Sequence, residues 1–110
     1  MVRGHRDLLA WQEAISLVGI VYQCTANFPK EEVFGLTGQM RRAAVSVPSN
    51  IAEGAARNSK REFVQFLGFA RGSLSELETQ VIISQDLGFL TSSVIGIRTF
   101  GENRTVVQID

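Results

Sequence analysis

Around residues 41–57 the chain carries two lines of side chains at helical spacing. Met40, Ala44, Val47 and Ile51 make an apolar line, and Arg42, Ser46, Asn50, Glu53 and Arg57 make a polar line beside it, at steps of 4, 4, 3 and 4. A helix stacks residues three and four apart on one face. An ordered polar line flanking a core line predicts a specified helix–helix contact, and Ser46 and Asn50 are the kind of polar residue that sets register and oligomeric state by hydrogen-bonding across helices. Pro48 falls inside this segment. An interior proline removes one backbone hydrogen bond and crowds the carbonyl four residues back. Both lines keep phase across it, which predicts a helix over 32–57 that kinks at the proline and does not break there.

The segments on either side read the same way. Over residues 7–27, Leu8, Trp11, Ile15, Val18, Tyr22 and Thr25 form one line, and Ala14, Leu17, Val21, Cys24 and Phe28 a second. Two adjacent seams give an apolar face wider than a two-stranded coiled coil needs, so this helix belongs inside a bundle, with the Trp11 and Tyr22 line in the core. Asp7 is the expected N-cap, and Phe28-Pro29 the stop, because the residue before proline is pushed out of helical geometry. Further on, Ser59 and Glu62 have the spacing of a capping box. Phe63, Leu67, Ala70, Leu74, Leu77, Val81 and Ser84 then step by 4, 3, 4, 3, 4 and 3, predicting a helix over 60–87, roughly 40 Å long at about 1.5 Å per residue, closed by Gly88.

Beside that heptad runs a second line of Phe66, Phe69, Ser73, Glu76, Gln80 and Ile83. With the first line satisfying the core, Phe66 and Phe69 are left wanting a partner helix or subunit. Gly68 and Gly72, one turn apart, would let another backbone approach closely. Residues 91–110 depart from the pattern. They carry Gly96 and Gly101, many β-branched residues and a short apolar cluster of Val94, Ile95, Ile97 and Phe100, and read as an atypical terminus, extended or partly disordered.

Length and composition narrow the options. The 110 residues fit one domain, residues 1–110. The longest strongly apolar stretch, residues 14–22, is too short to span a bilayer, and the first residues lack the pattern of a signal peptide. A cytoplasmic location, without membrane association, is the expectation. The net charge is zero but uneven: residues 41–61 carry Arg41, Arg42, Arg57, Lys60 and Arg61 against Glu53 alone, whereas residues 62–90 carry Arg71 against Glu62, Glu76, Glu78 and Asp86. A basic segment beside an acidic one can engage an anionic partner or a copy of itself. Self-association is preferred here, because a dedicated nucleic-acid domain usually has a basic total as well.

The run Asp7-Leu8, Trp11-Gln12, Phe28-Pro29, Glu32, Gly35-Leu36, the 41–57 segment with Ile51-Ala52-Glu53-Gly54, then Phe66-Leu67, Ala70-Arg71-Gly72-Ser73 and Glu76-Leu77-Glu78-Thr79 resembles, in order over residues 7–90, the bacterial four-helix-bundle proteins named for reading frames in the intervening sequences of large-subunit ribosomal RNA genes. The resemblance implies an all-α, up-down four-helix bundle, its fourth helix short or atypical here, and assembly as a ring-shaped homo-oligomer, with a homopentamer as the best expectation. A relative of that family, the accessory protein of diversity-generating retroelements, uses a basic pentameric barrel to engage nucleic acid and a reverse transcriptase. The resemblance carries over no catalytic residue.

Candidate chemistry is correspondingly sparse. Cys24 lies on a core line and reads as an inert buried thiol, with no histidine to activate it, since His5 is in the N-terminal tail. One histidine does not make a zinc site, and a di-metal bundle would want Glu-x-x-His motifs that this chain lacks. Glu53 with Arg57, and Arg71 with Glu78, read as structural ion pairs. The expectation is therefore a non-catalytic scaffold or adaptor with no catalytic residue, metal, cofactor or small-molecule substrate, and with Arg42, Ser46, Asn50, Glu53, Arg57, Phe66 and Phe69 as its oligomer interface. The alternative is an RNA-binding module, or a partner of a nucleic-acid enzyme, using Arg41, Arg42, Arg57, Lys60 and Arg61 to track phosphates.

Overall fold

In a computed structural model, which describes residues 4–90, the three long periodic segments become three helices: α1, Leu9–Thr25; α2, Leu36–Ala55; and α3, Lys60–Asp86. Two short 3-10 turns, His5–Asp7 and Lys30–Glu32, precede α1 and α2, and the described residues contain no strand. The all-α reading holds. The expected fourth helix and the atypical terminus, including Val94, Ile95, Ile97 and Phe100, lie outside the described residues.

α2 is the central element and packs against both α1 and α3. Its apolar line is the deepest part of the molecule: Met40, Ala44, Val47 and Ile51 are all fully or almost fully buried. α1 contributes Ala14, Leu17 and Val21 to the same core, and α3 contributes Ala70, Leu74, Leu77 and Val81. Each Leu, Val, Ile or Met side chain among them stabilises the fold by about 1.5–3 kcal/mol on leaving water, before entropy is counted, and each alanine by less. α2 runs antiparallel to both neighbours. Thr25 at the end of α1 meets Arg41 near the start of α2. Against α3, Gly54 meets Phe63 and Phe66, Ser46 meets Ser73, and Met40 meets Ser84.

The helix ends show local chemistry at work. Ser59 caps α3, its Oγ accepting from the Glu62 amide at 3.1 Å while the hydroxyl donates to Glu62 Oε1 at 3.2 Å. At the other end Gly88 takes φ +80°, the left-handed conformation that costs glycine little. The Phe89 amide then donates to the Ser84 carbonyl at 2.8 Å and the Gly88 amide to Gln85 at 3.0 Å, a complete Schellman stop. α2 runs unbroken through Pro48. Ser49 Oγ and Asn50 Nδ2 donate back to the Val45 and Ser46 carbonyls, each at 2.8 Å, supporting the ladder where the proline interrupts it.

Two expected boundaries move. Asp7 does not cap α1. It closes the first 3-10 turn, and α1 starts at Leu9 after an extended Leu8 with no side-chain cap. Gln12 Nε2 instead donates to the Arg6 carbonyl at 2.8 Å, folding the chain back so that His5 lies edge-on to Trp11 at 5.0 Å. The aromatic contact takes precedence over the cap. Similarly α2 starts at Leu36, not Glu32. Glu32 stays outside the helix, and its Oε1 accepts from the Leu36 amide at 3.0 Å, satisfying one of the orphan donors of the first turn.

Gly54 marks the closest approach of α2 and α3. A Cβ there would stand 2.7 Å from Phe66 Cβ, 3.1 Å from Phe63 Cδ1 and 3.3 Å from the Phe63 carbonyl. None of these is the free end of a flexible chain, so Gly54→Ala should destabilise by about 1–3 kcal/mol through overpacking. Gly19 on α1 has open space where its Cβ would go, and Gly19→Ala should stabilise by about 0.5–1 kcal/mol. Urea denaturation of both variants checks the pair; equal effects would refute the packing account.

Candidate interaction surface along the second and third helices

The polar line of α2 follows the seam between α2 and α3. Ser46 is half-buried and its hydroxyl bonds that of Ser73 across the seam. Asn50, also half-buried, sends its amide to its own helix, at Ser46 O, so only Ser46 of the expected pair bonds across helices within the protomer. At the lower end of the seam Arg57 is shared. Its guanidinium lies 2.9 Å from Glu53 Oε2 and 3.9 Å from Glu62 Oε2, and stands over the Phe66 ring at 4.8 Å. The Glu53–Arg57 pair is spaced i, i+4 and largely exposed, worth about 0.3–0.5 kcal/mol.

The second line of α3 is less free than its pattern suggests. Phe66 packs on Gly54, Ser73 bonds Ser46, and Gln80 is buried at 5 % exposure. These residues face α2, because α3 meets it with a face broader than one heptad line. What remains open is Phe69, 50 % exposed and edge-on to Phe66 at 5.3 Å, together with Glu76 and Ile83. Gln80 Nε2 donates to Glu76 at 3.3 Å, but Gln80 Oε1 is buried without a hydrogen-bond partner among the described residues. The expected Arg71–Glu78 ion pair is not formed; two helical turns separate them, and the ion pairs among the described residues both belong to Arg57.

The five basic candidates divide. Arg41 is a tether: Nε donates to Thr25 Oγ1 at 2.9 Å, Nη2 reaches the Tyr22 carbonyl at 3.5 Å, and the guanidinium stacks on the Tyr22 ring at 4.4 Å. A cation here also meets the negative end of the α1 dipole. Arg57 is held by its two carboxylates. Arg42, Lys60 and Arg61 are exposed and make no ion pair among the described residues. Tyr22, expected in the core, is 42 % exposed: Arg41 covers one face of its ring, while Trp11 is half-buried beneath His5.

Sequence patterning missed two features. Phe34 is 93 % exposed, ahead of the first turn of α2, where no periodicity assigns it a face. Between α1 and α2 lies an apolar groove of about 380 Å³ walled by Trp11, Ile15 and Val18 on one side and Val45, Pro48 and Ala52 on the other. Val45 and Ala52 belong to neither of the two lines first read on α2, although their spacing of 3, 4 and 3 from Arg42 through Ser49 was available. Cys24 is half-buried, and burial pushes its thiol above the ordinary value. It stands 13 residues along α1 from Trp11, the ring on which His5 packs, roughly 20 Å of helical rise. No group of three or more metal-ligating side chains gathers among the described residues, and no described helix is long and apolar enough to cross a membrane.

Comparison with known families matches residues 6–97 to the one described as 23S rRNA-intervening sequence protein. Comparison with curated proteins finds no match.

The tether is testable. Arg41→Ala removes a charge-assisted hydrogen bond and the stacking on Tyr22, and should cost about 1–3 kcal/mol, with faster amide exchange in the last turn of α1. Arg42→Ala, at an exposed site without an ion pair among the described residues, should change stability by less than about 0.5 kcal/mol. Hydrogen exchange with thermal melting separates the two.

Proposed function

The chain belongs to the 23S rRNA-intervening sequence protein family, and on that footing we propose that it is a non-catalytic, homo-oligomeric helical scaffold acting in the cytoplasm. Its protomer is of the up-down four-helix-bundle type with a short or atypical fourth helix, and its assembly is a ring, with five copies as the expected number. The observation that carries self-association is the half-exposed Phe69 beside an ordered polar seam. A large aromatic ring lies open next to Ser46, Asn50 and the Glu53–Arg57–Glu62 cluster, while Arg42 and Glu76 on the two flanking helices are exposed and without ion-pair partners among the described residues. An apolar centre with a polar, solvent-accessible rim is the composition of a protein–protein contact.

The non-catalytic reading is supported by how the reactive side chains are used. The Cys24 thiol is raised by burial and far from His5, and His5 is itself packed on Trp11. Arg41 and Arg57 are engaged in holding helices together. Converging acids and bases, which an active site needs, do not occur at the seam, where the carboxylates Glu53 and Glu62 both face Arg57.

Sedimentation velocity at micromolar concentration tests the proposal. A species larger than a protomer is expected, and a monomer refutes it. Asn50→Leu should shift the oligomer distribution while leaving far-UV circular dichroism nearly unchanged, since its amide supports one carbonyl of its own helix and its other face is open along the seam. Unchanged assembly would remove Asn50 from the interface.

A second reading, RNA binding, is favoured by one observation: Lys60 and Arg61 are exposed and without ion pairs among the described residues at the start of α3, where the helix dipole adds positive potential. Binding should then be weakly selective and salt-dependent, and the double variant Lys60→Glu, Arg61→Glu should lower the slope of log affinity against log salt by about 2. Titration of a generic single-stranded RNA at several salt concentrations decides; salt-independent binding, or none at low ionic strength, excludes this reading.

A further inference from the structure

The contact of Arg41 with Tyr22 fixes how α1 and α2 lie along one another. From that contact both helices repeat one spacing. Tyr22, Val18, Ile15 and Trp11 step back along α1 by 4, 3 and 4, and Arg41, Val45, Pro48 and Ala52 step forward along α2 by the same amounts. The helices are antiparallel, so these positions face one another in tiers. The three tiers from Trp11 to Val18 wall the apolar groove of about 380 Å³, whose lining holds no carboxylate. Ile15, Val45 and Tyr22 are each more than two-fifths exposed. Large apolar side chains left open on one continuous surface mark a site of interaction. The fourth tier is a cation. An arginine carries five N–H donors, and Arg41 spends one on Thr25 Oγ1 and one on the Tyr22 carbonyl. No carboxylate pairs with it among the described residues. At the other end the groove is closed by His5, edge-on to Trp11.

We infer that this groove receives an amphipathic helix of another protein, with three apolar anchors in the groove and an acidic residue one turn further on, at Arg41. The length of the groove and its charge both select that occupant. From Trp11 to Val18 is seven residues, roughly 10 Å of helical rise. A helix laid in a groove presents anchors at i, i+3 or i+4, and i+7 over the same distance, one for each apolar tier. A carboxylate at i+10 or i+11 then meets the guanidinium, where opposite charge sets direction and register. Residues 91–110 lack this pattern: their apolar positions Val94, Ile97 and Phe100 are flanked one turn away by Leu90 and by Arg104, and neither is acidic. The inference goes beyond the scaffold reading and does not rest on it, since the groove lies on the flank of α2 away from Phe69 and the α3 seam.

The chain has one tryptophan, and it lines the groove, so its emission reports occupancy. The probe is a synthetic alanine–glutamine helix carrying leucine at i, i+3 and i+7 and glutamate at i+10 and i+11, titrated into the full-length protein. A saturable shift of Trp11 emission is expected. The same peptide with lysine in place of both glutamates should bind at least about tenfold more weakly, because like charges then meet across the contact. Val45→Glu, at a site open enough to leave the helix content unchanged by circular dichroism, should abolish the shift; should it fail to fold, Ile15→Glu replaces it. Equal affinity for the two peptides overturns the inference, as does a shift that survives Val45→Glu. Absence of any shift overturns it too and leaves the groove to residues 91–110. Emission that moves when the protein alone is diluted shows the groove covered by a second copy, which is the remaining result against it.

Discussion

The structure depends on how closely α2 can approach α3. Small side chains make that approach possible: Gly54 against Phe63 and Phe66, Ser46 against Ser73, and Ala43 and Ala70 in the shared core. Interiors are close-packed, and a methyl group at Gly54 would already exceed the space available. Because α2 is also the helix against which α1 packs, its position decides where every other element lies. Pro48 is tolerated inside it for the same reason. Its ring is buried at the α1 side, so packing offsets the hydrogen bond that the missing amide forgoes.

Polar groups near that contact are mostly engaged within the protomer. Arg41 ties the start of α2 to the end of α1, Arg57 joins the end of α2 to the start of α3, and Ser46 bridges the middle of the seam. Three of the seven residues first assigned to an oligomer interface, Ser46, Arg57 and Phe66, thus already have a cross-element role inside one copy. They shape the seam, and the side chains that remain open along it, Phe69, Arg42 and Glu76, are the ones available to a neighbour. The same division governs the basic set, in which Arg42, Lys60 and Arg61 carry the free charge. The open part of this surface thus combines one aromatic ring with exposed charges of both signs.

Much of this was legible in the sequence. The period of α1, the heptad of α3, the capping box at Ser59, the glycine stop at Gly88 and the continuity of α2 through Pro48 all depend on neighbours within four residues, where spacing and backbone preference act directly. The buried line Met40, Ala44, Val47 and Ile51 was equally clear. Family membership follows from motifs spread over nearly the whole of residues 7–90.

What the sequence determined by itself was therefore the three helical segments, the cap and stop of α3 and the buried line of α2. Tertiary structure alone decided which flank of a helix is covered and by what. Phe66 and Phe69 stand three residues apart on one face, yet one packs on Gly54 and the other lies open. Tyr22 leaves the core because Arg41 comes from another helix to cover it, and Asp7 gives up its cap because His5 folds onto Trp11. In each case the deciding partner is on a different element, at a distance along the chain that no local periodicity encodes, so its effect exists only once the helices have docked.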